Sequence, residues 1–174
     1  MRKIGIIAVL TLMALAIAAV PVLAAKPGTG GTSGNPHYVG GNADLILSGD
    51  TVTVSGGKIA GLGSGPATFV LTVSGFATTE CANPAGNVAP GQDSAFELSG
   101  EPVTVPTTDR GTVTVPSGVT ASGPAEGTPV SDEEAGAPNA KWNCYVTGSV
   151  IESATLNVYQ GGVLIPSLTV TETF

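Results

Sequence analysis

The chain has 174 residues, with 25 glycines, 13 prolines and only 11% charged residues, so it can hold one modest domain and a processed segment. Its formal net charge is −7, and its few basic residues form no cluster that would hold a nucleic acid or an anionic membrane surface. Both are therefore excluded as partners. Aromatic residues make up 5% of the chain, so Val, Leu, Ile and Ala must build the core, which favours a thin β fold.

Residues 1–24 have the features of a secretory signal peptide. A basic start is followed by an apolar run over residues 4–20 and then by small residues. We predict a signal helix that is cleaved between Ala24 and Ala25, so that the mature chain is secreted or held at the cell surface with a formal charge of about −9. The alternative is an uncleaved membrane anchor, but Pro21 directly after the run favours cleavage.

Residues 25–42 are rich in Gly, Pro and Thr and contain little that could be buried. This composition is typical of a flexible linker, so we predict a flexible lead here. The folded domain is predicted to span residues 43–174.

Short β-like runs separated by Gly, Ser, Pro and Asp begin after the lead. Apolar and polar residues alternate along each run, which is typical of half-buried antiparallel strands. In the longest run, Gly75 is predicted to mark a bulge that lets the strand continue. The predicted strands are residues 45–47, 51–54, 58–62, 67–81, 102–105, 112–116, 142–147, 154–159 and 164–174.

Residues beyond the signal segment show no helical periodicity, so the domain is predicted to be all-β. Eight to ten short strands joined by Gly/Pro turns favour an antiparallel two-sheet sandwich, with a closed barrel as the alternative. The sandwich is Ig-like only in a loose sense: Trp142 lies two residues before the second cysteine, but no Trp follows the first.

The mature chain contains two cysteines, Cys81 and Cys144. In an exported protein, an even count predicts one disulfide. The bridge would join either the two sheets or two neighbouring strands, and Trp142 would pack beside it. A metal site is not predicted, because one histidine and two cysteines leave too few soft ligands.

The sequence lacks the residue constellations of common enzymes, so we predict no catalytic residue and no cofactor. The only histidine, His37, lies in the predicted lead, where precise placement is difficult. The Gly-rich stretch at residues 61–65 completes no nucleotide-binding motif and is interpreted as a turn. Tyr38, Tyr145 and Tyr159 are interpreted as cross-strand packing partners, with carbohydrate or protein binding as the alternative.

The second polar loop, residues 123–140, contains three consecutive acids, Asp132, Glu133 and Glu134. Their oxygens could bind calcium weakly, as in many extracellular β domains. The loop lacks an Asp-x-Asp-x-Asp-Gly frame, so a solvated acidic loop is the preferred interpretation.

Residues 83–93 form a loop rich in turn-forming residues. Asn83-Pro84 and Pro90-Gly91 favour turns, and the Asn87 side chain is expected to cap one of them. The rigid loop, with Asn83, Asn87 and Gln92 as its candidate contacts, is interpreted as closure of the sandwich, with a binding surface as the alternative.

The run from Cys81 to Gln92, together with Trp142 and Asn143 before the second cysteine, resembles small exported bacterial β-sandwich proteins that carry a C-x-N-P-x-G-N-x-x-P-G-Q loop. The resemblance extends loosely over most of the mature chain. It implies secretion and a β domain, and it implies no activity.

These observations predict an exported, non-enzymatic β-sandwich that acts as a structural, adhesive or interaction domain. Its partner would be an extracellular protein or glycan. The alternative is a module that binds a small ligand or a carbohydrate, with calcium assisting.

Overall fold

A computed structural model describes residues 34–137, 139 and 141–174. The predicted signal peptide and the first part of the predicted lead lie outside these residues. Within the described part of the chain, no helix has the length and apolar character needed to cross a membrane. In chain order, the strands are β1 (His37–Tyr38), β2 (Asp44–Ser48), β3 (Thr51–Ser55), β4 (Lys58–Ala60), β5 (Ala67–Ala82), β6 (Val88–Pro90), β7 (Ser94–Ser99), β8 (Val103–Val105), β9 (Val113–Thr114), β10 (Thr120–Ser122), β11 (Pro129–Val130), β12 (Asn143–Gln160), β13 (Val163–Leu164) and, after a 3₁₀ turn (Pro166–Leu168), β14 (Val170–Thr173).

Two long neighbouring strands, β5 and β12, organise the fold. They pair antiparallel from Ala67 opposite Gln160 to Ala82 opposite Asn143. Every second residue of β5, from Ala67 to Cys81, is buried, and the residues between them are half-buried or exposed. This alternation is what a sheet with one face in the core and one face in water requires. We call these two sides the inner face and the outer face.

Shorter strands widen this pair into a large sheet. Strands β6, β7 and β8 pair with the free edge of β5, and β11, β13 and β14 pair with the free edge of β12. Two three-stranded sheets, with strand orders β10-β3-β2 and β1-β4-β9, form the opposing layer. The all-β fold with antiparallel sheets that the sequence predicts is therefore confirmed, with an opposing layer divided into two small sheets.

The main core lies between the inner face of the large sheet and the two small sheets. Phe69 and Leu71 of β5 and Leu156 of β12 are fully buried there with Val52 and Ile59 from the small sheets. Burying an aliphatic or aromatic side chain of this size stabilises a fold by about 1.5–3 kcal/mol. The Val-Thr repeats place their valines in this layer, as predicted: Val113 is buried and its neighbour Thr114 is exposed.

The bulge predicted at Gly75 lies in the partner strand instead. Strand β5 passes through Gly75 without an inserted residue, while the register of β12 shifts between Ile151 and Ser153 and again between Val146 and Gly148. The extra residues of β12 allow one strand to continue where the sequence suggested two, at residues 142–147 and 154–159. Bulges of this kind bend a strand and increase its twist without ending it.

The C-terminal strand predicted over residues 164–174 is interrupted. Pro166 has no backbone N–H, and it starts a 3₁₀ turn that ends at Leu168. The turn breaks the two-residue period, so Leu164 remains 39% exposed while Leu168 is fully buried. An unbroken strand over these residues would place both leucines on one face, because they are four residues apart.

The end of the predicted flexible lead pairs with the folded domain. His37 and Tyr38 form β1, which pairs with β4, and the Tyr38 hydroxyl donates a hydrogen bond to the Leu168 carbonyl at 3.0 Å. Burial raises the pKa of Tyr38 to about 12. Tyr38 is thus a packing residue, as the sequence interpretation preferred.

Candidate functional site

The predicted disulfide is present and joins neighbouring strands of one sheet. Cys81 and Cys144 lie directly opposite each other in β5 and β12, with their α-carbons 4.0 Å apart. Both are buried in a small second core under Ala135, and Trp142 packs against this cluster as predicted. We call this end of the β5–β12 pair the tip. In Ig domains the bridge crosses between sheets, so the loose Ig likeness does not extend to the bridge.

The candidate binding loop after Cys81 is a hairpin turn that leads into β6. The Asn83 side chain accepts hydrogen bonds from the backbone N–H groups of Ala85 and Asn87, both at 3.0 Å. The cap expected from Asn87 is therefore made by Asn83, because its position at the start of the turn faces the free N–H groups that follow. Asn87 contributes its carbonyl, which accepts the Asn83 N–H at 3.0 Å.

The acidic loop folds into a single turn over the bridge. Ala135 donates its N–H to the Ser131 carbonyl at 3.0 Å, and the Ser131 hydroxyl donates to the Glu134 carboxylate at 3.2 Å. Among the described residues, no group of three His, Cys, Asp or Glu side chains is arranged to hold a metal ion. The weak calcium site at Asp132, Glu133 and Glu134 stays a prediction.

The two candidate loops meet at the tip. Gln92 donates its backbone N–H to the Ala135 carbonyl at 2.9 Å, and its own carbonyl accepts the buried Thr79 hydroxyl at 2.7 Å. These bonds satisfy backbone groups that would otherwise be left without partners at the end of the sheet. This arrangement is the one expected of a loop that closes the sandwich.

The outer face of the large sheet is not among the sites that the sequence predicts. Hydroxyl groups pair across its strands: Thr72 with Ser99 at 2.8 Å, Ser74 with Ser153 at 2.8 Å, Thr155 with Thr171 at 3.1 Å, and Thr68 with Thr104 at 2.9 Å. Cross-strand hydroxyl pairs of this kind stabilise a sheet and fix the side-chain rotamers.

Four exposed large apolar side chains lie on the same face: Val88 and Leu164 are near its two ends, opposite Ala82 and Tyr159, and Phe76 and Val150 are at its centre. Phe76 and Val150 are directly opposite each other in β5 and β12, and they are 44% and 62% exposed. The signal for this pair was present in the sequence, because Phe76 has the same parity as Thr72 and Ser74. The bulge predicted at Gly75 would have moved Phe76 to the other face, so the sequence did not predict that Phe76 continues the polar row.

A depression of about 230 Å³ lies beside this apolar pair. Asn157 is at one end, where its Oδ1 atom accepts the Thr169 hydroxyl at 3.2 Å; its Nδ2 group has no acceptor among the described residues. Glu97 of β7 is at the other end, exposed and opposite Ser74. The depression is lined by Thr72, Ser74, Glu97, Ser153, Thr155 and Asn157.

The charge of the outer face is weakly negative. None of the eight strands of the large sheet contains Lys or Arg, whereas Glu80 and Glu97 both lie on its outer face. The three cations of the described chain, Lys58, Arg110 and Lys141, lie outside these strands.

The other residues that the sequence singled out do not gather into one site. Tyr145 and Tyr159 are half-buried on the outer face, but their partners Glu80 and Thr68 are 12 residues apart in β5, which places the two tyrosines roughly 40 Å apart. His37 is exposed, and its Nδ1 atom lies 2.7 Å from the Asn35 carbonyl. Gln160 stabilises the turn predicted at residues 61–65. Its side chain donates a hydrogen bond to the Gly63 carbonyl and accepts one from the Gly63 N–H, both at 3.0 Å.

Comparison of the chain with protein-family models, curated proteins and solved structures finds no match.

Proposed function

We propose that the chain is an exported, non-catalytic interaction domain that attaches to extracellular material through the outer face of its large sheet. The observation that carries the proposal is the exposed Phe76–Val150 pair at the centre of that face. Isolated exposed apolar residues are normal on protein surfaces. Here two of them are in register and bordered by hydroxyl groups, which is the arrangement of an apolar centre within a polar rim that interaction surfaces favour.

The rest of the described chain supports a non-catalytic role. The candidate loops at the tip use their polar groups in structural hydrogen bonds, as the bonds of Asn83 and Gln92 show. His37, the only histidine in the sequence, lies in the opposing layer, in β1. A buried disulfide is typical of proteins that work in an oxidising compartment, which supports export.

Two valines of similar exposure provide the test. Val150 is 62% exposed on the outer face. Val163 of β13 is 69% exposed but does not lie on the outer face, because it is opposite Gln160, and Gln160 is opposite the inner-face residue Ala67. We would express the full chain with its own N-terminal segment and measure the fraction of exported protein that sediments with the cells and their extracellular material.

We expect the wild-type chain and Val163→Asp to sediment, and Val150→Asp to remain in the medium. A charge at the centre of an apolar contact costs binding energy, whereas the same charge outside it does not. A wild-type chain that stays in the medium, or a Val150→Asp variant that sediments like the wild type, would show that the outer face is not the attachment surface.

A further inference from the structure

The depression beside Phe76 and Val150 has a lining whose chemistry indicates a ligand class. We propose that it binds an uncharged polysaccharide chain, an inference that rests on the outer face being the attachment surface. Its polar groups are hydroxyls, one carboxylate at Glu97 and one carboxamide at Asn157. Neutral sugars present hydroxyl groups that both donate and accept, so a carboxylate acceptor and a carboxamide donor are suitable partners for them.

The same lining argues against the other ligand classes. An anionic chain would meet Glu97 in the depression and Glu80 further along the outer face, without a compensating Lys or Arg on any strand of the large sheet. A protein partner is expected to contact Trp, Tyr or Arg anchors in a well-packed pocket, and the depression contains none of these residues. An extended peptide cannot pair through its backbone with β5 or β12, which carry five of the six lining residues, because both strands are already paired on both edges.

The depression is elongated, which favours a chain over a single sugar. Asn157 lies opposite Val70 and Glu97 lies opposite Ser74, two strands away from β12. Four residues along a strand and two strand spacings place these groups about 16 Å apart diagonally. Phe76 and Val150 extend the surface by one more register position, where their apolar groups would pack against the C–H face of a sugar ring.

The hydroxyls between these ends are already positioned. Thr72 bonds to Ser99, and Ser74 bonds to Ser153, each at 2.8 Å. One hydroxyl of each pair uses its proton in the bond, so the other keeps a proton to donate to a ligand. Because the rotamers are fixed before binding, little side-chain entropy is lost when a ligand binds.

Two near-isosteric substitutions remove the proposed contacts. Asn157→Asp keeps the oxygen that accepts the Thr169 hydroxyl but loses both N–H donors, and Glu97→Gln removes the charge of the acceptor. The matched control is Glu172→Gln, because Glu172 is an exposed carboxylate of β14 opposite the inner-face residue Ala154. Melting temperatures of all three variants show whether each remains folded.

The measurement is the migration of the full chain through native gels that contain a soluble polysaccharide. We would use glucomannan, hydroxyethylcellulose, a β-1,3-glucan and amylopectin as neutral probes, and polygalacturonate as the anionic probe. We expect at least one neutral polysaccharide, and not polygalacturonate, to retard the wild-type chain and Glu172→Gln. Asn157→Asp and Glu97→Gln should each weaken binding to the polysaccharide about tenfold, because the first loses a hydrogen bond to a sugar hydroxyl and the second loses the charge that strengthens one.

Migration unaffected by every neutral probe, retardation by polygalacturonate alone, or variants that are retarded like the wild type would each overturn the proposed ligand class. The sedimentation experiment separates this failure from that of the attachment surface. If Val150→Asp is released from the cells while no neutral polysaccharide binds, the outer face is the attachment surface and its partner is not a neutral glycan.

Discussion

Gly75 lies against the backbone of Val150, so closely that a β-carbon at position 75 would overlap the Val150 carbonyl oxygen. The register of β12 shifts between Ile151 and Ser153, directly after this contact. Glycine is therefore needed at position 75 because the backbone of the partner strand, β12, occupies the space of a side chain. The same contact places Val150 beside Phe76 on the outer face.

Substitution of Gly75 tests this close approach. We expect Gly75→Ala to lower the free energy of unfolding by about 2–3 kcal/mol, because either the Val150 carbonyl or β5 must move. The control is Gly148→Ala, since a β-carbon on Gly148, also in this sheet, would contact nothing within 4 Å. In urea titrations, the free energy of unfolding of that variant should lie within about 0.5 kcal/mol of the wild-type value. Equal losses in the two variants would contradict the proposed overlap.

The alternation of apolar and polar residues predicted the class of the fold and most of its strands, because burial of one face imposes a period of two. Strand continuity was harder to predict. The stretch of β12 from Gly148 to Ser153 loses strict alternation, since each bulge shifts the side chains that follow it to the other face. No periodicity within one strand reveals that its partner is bulged.

The candidate site was less predictable than the fold. The turn-forming residues of the first loop pointed to Asn83 and Gln92 as candidate contacts. The polar groups of both residues instead form the hydrogen bonds that close the tip. The outer face depends on cross-strand neighbours that are distant in sequence: Thr72 and Ser99 are separated by 27 residues, and Ser74 and Ser153 by 79. Such a surface is visible only when the register of β5, β7 and β12 is known.

Removal of the disulfide should destabilise the domain strongly. The bridge spans a sequence separation of 63 residues, for which loop-closure entropy predicts a contribution of about 4 kcal/mol. We therefore expect a marked fall in melting temperature on reduction or in a Cys81→Ala/Cys144→Ala variant. Because Ala135 packs on the bridge, hydrogen exchange should increase first at residues 131–137. A melting temperature that does not change on reduction would show that the bridge does not limit unfolding.

The two asparagines of the first hairpin turn provide a second matched comparison. Asn83→Ala removes the side chain that accepts two backbone N–H groups, so it should cost about 1 kcal/mol of unfolding free energy. Asn87 contributes to the turn through its backbone, and Asn87→Ala should be nearly neutral. The check is chemical denaturation of both variants. A larger loss for Asn87→Ala would reverse the assignment of the cap.

The stability of the fold should fall in alkaline solution through Tyr38. Burial raises the pKa of Tyr38 to about 12, from 10.0 for a free tyrosine. The folded state therefore favours the neutral phenol, and this contribution is complete below pH 10 and is lost as the pH rises towards 12. Tyr38→Phe lacks the hydroxyl that bonds to the Leu168 carbonyl, so near pH 8 it should be less stable than the wild type by about 1 kcal/mol.

Above pH 10 the wild-type chain should lose stability faster than Tyr38→Phe, because phenylalanine does not titrate and the wild-type chain must hold a deprotonated phenol in a half-buried position or unfold. Urea titrations between pH 8 and pH 11.5 measure this difference directly. The gap between the two chains should be constant up to about pH 10 and narrow above it. A gap that stays constant would mean that Tyr38 ionises equally easily in the folded and unfolded chains, and that its contact with Leu168 does not exclude water from the phenol.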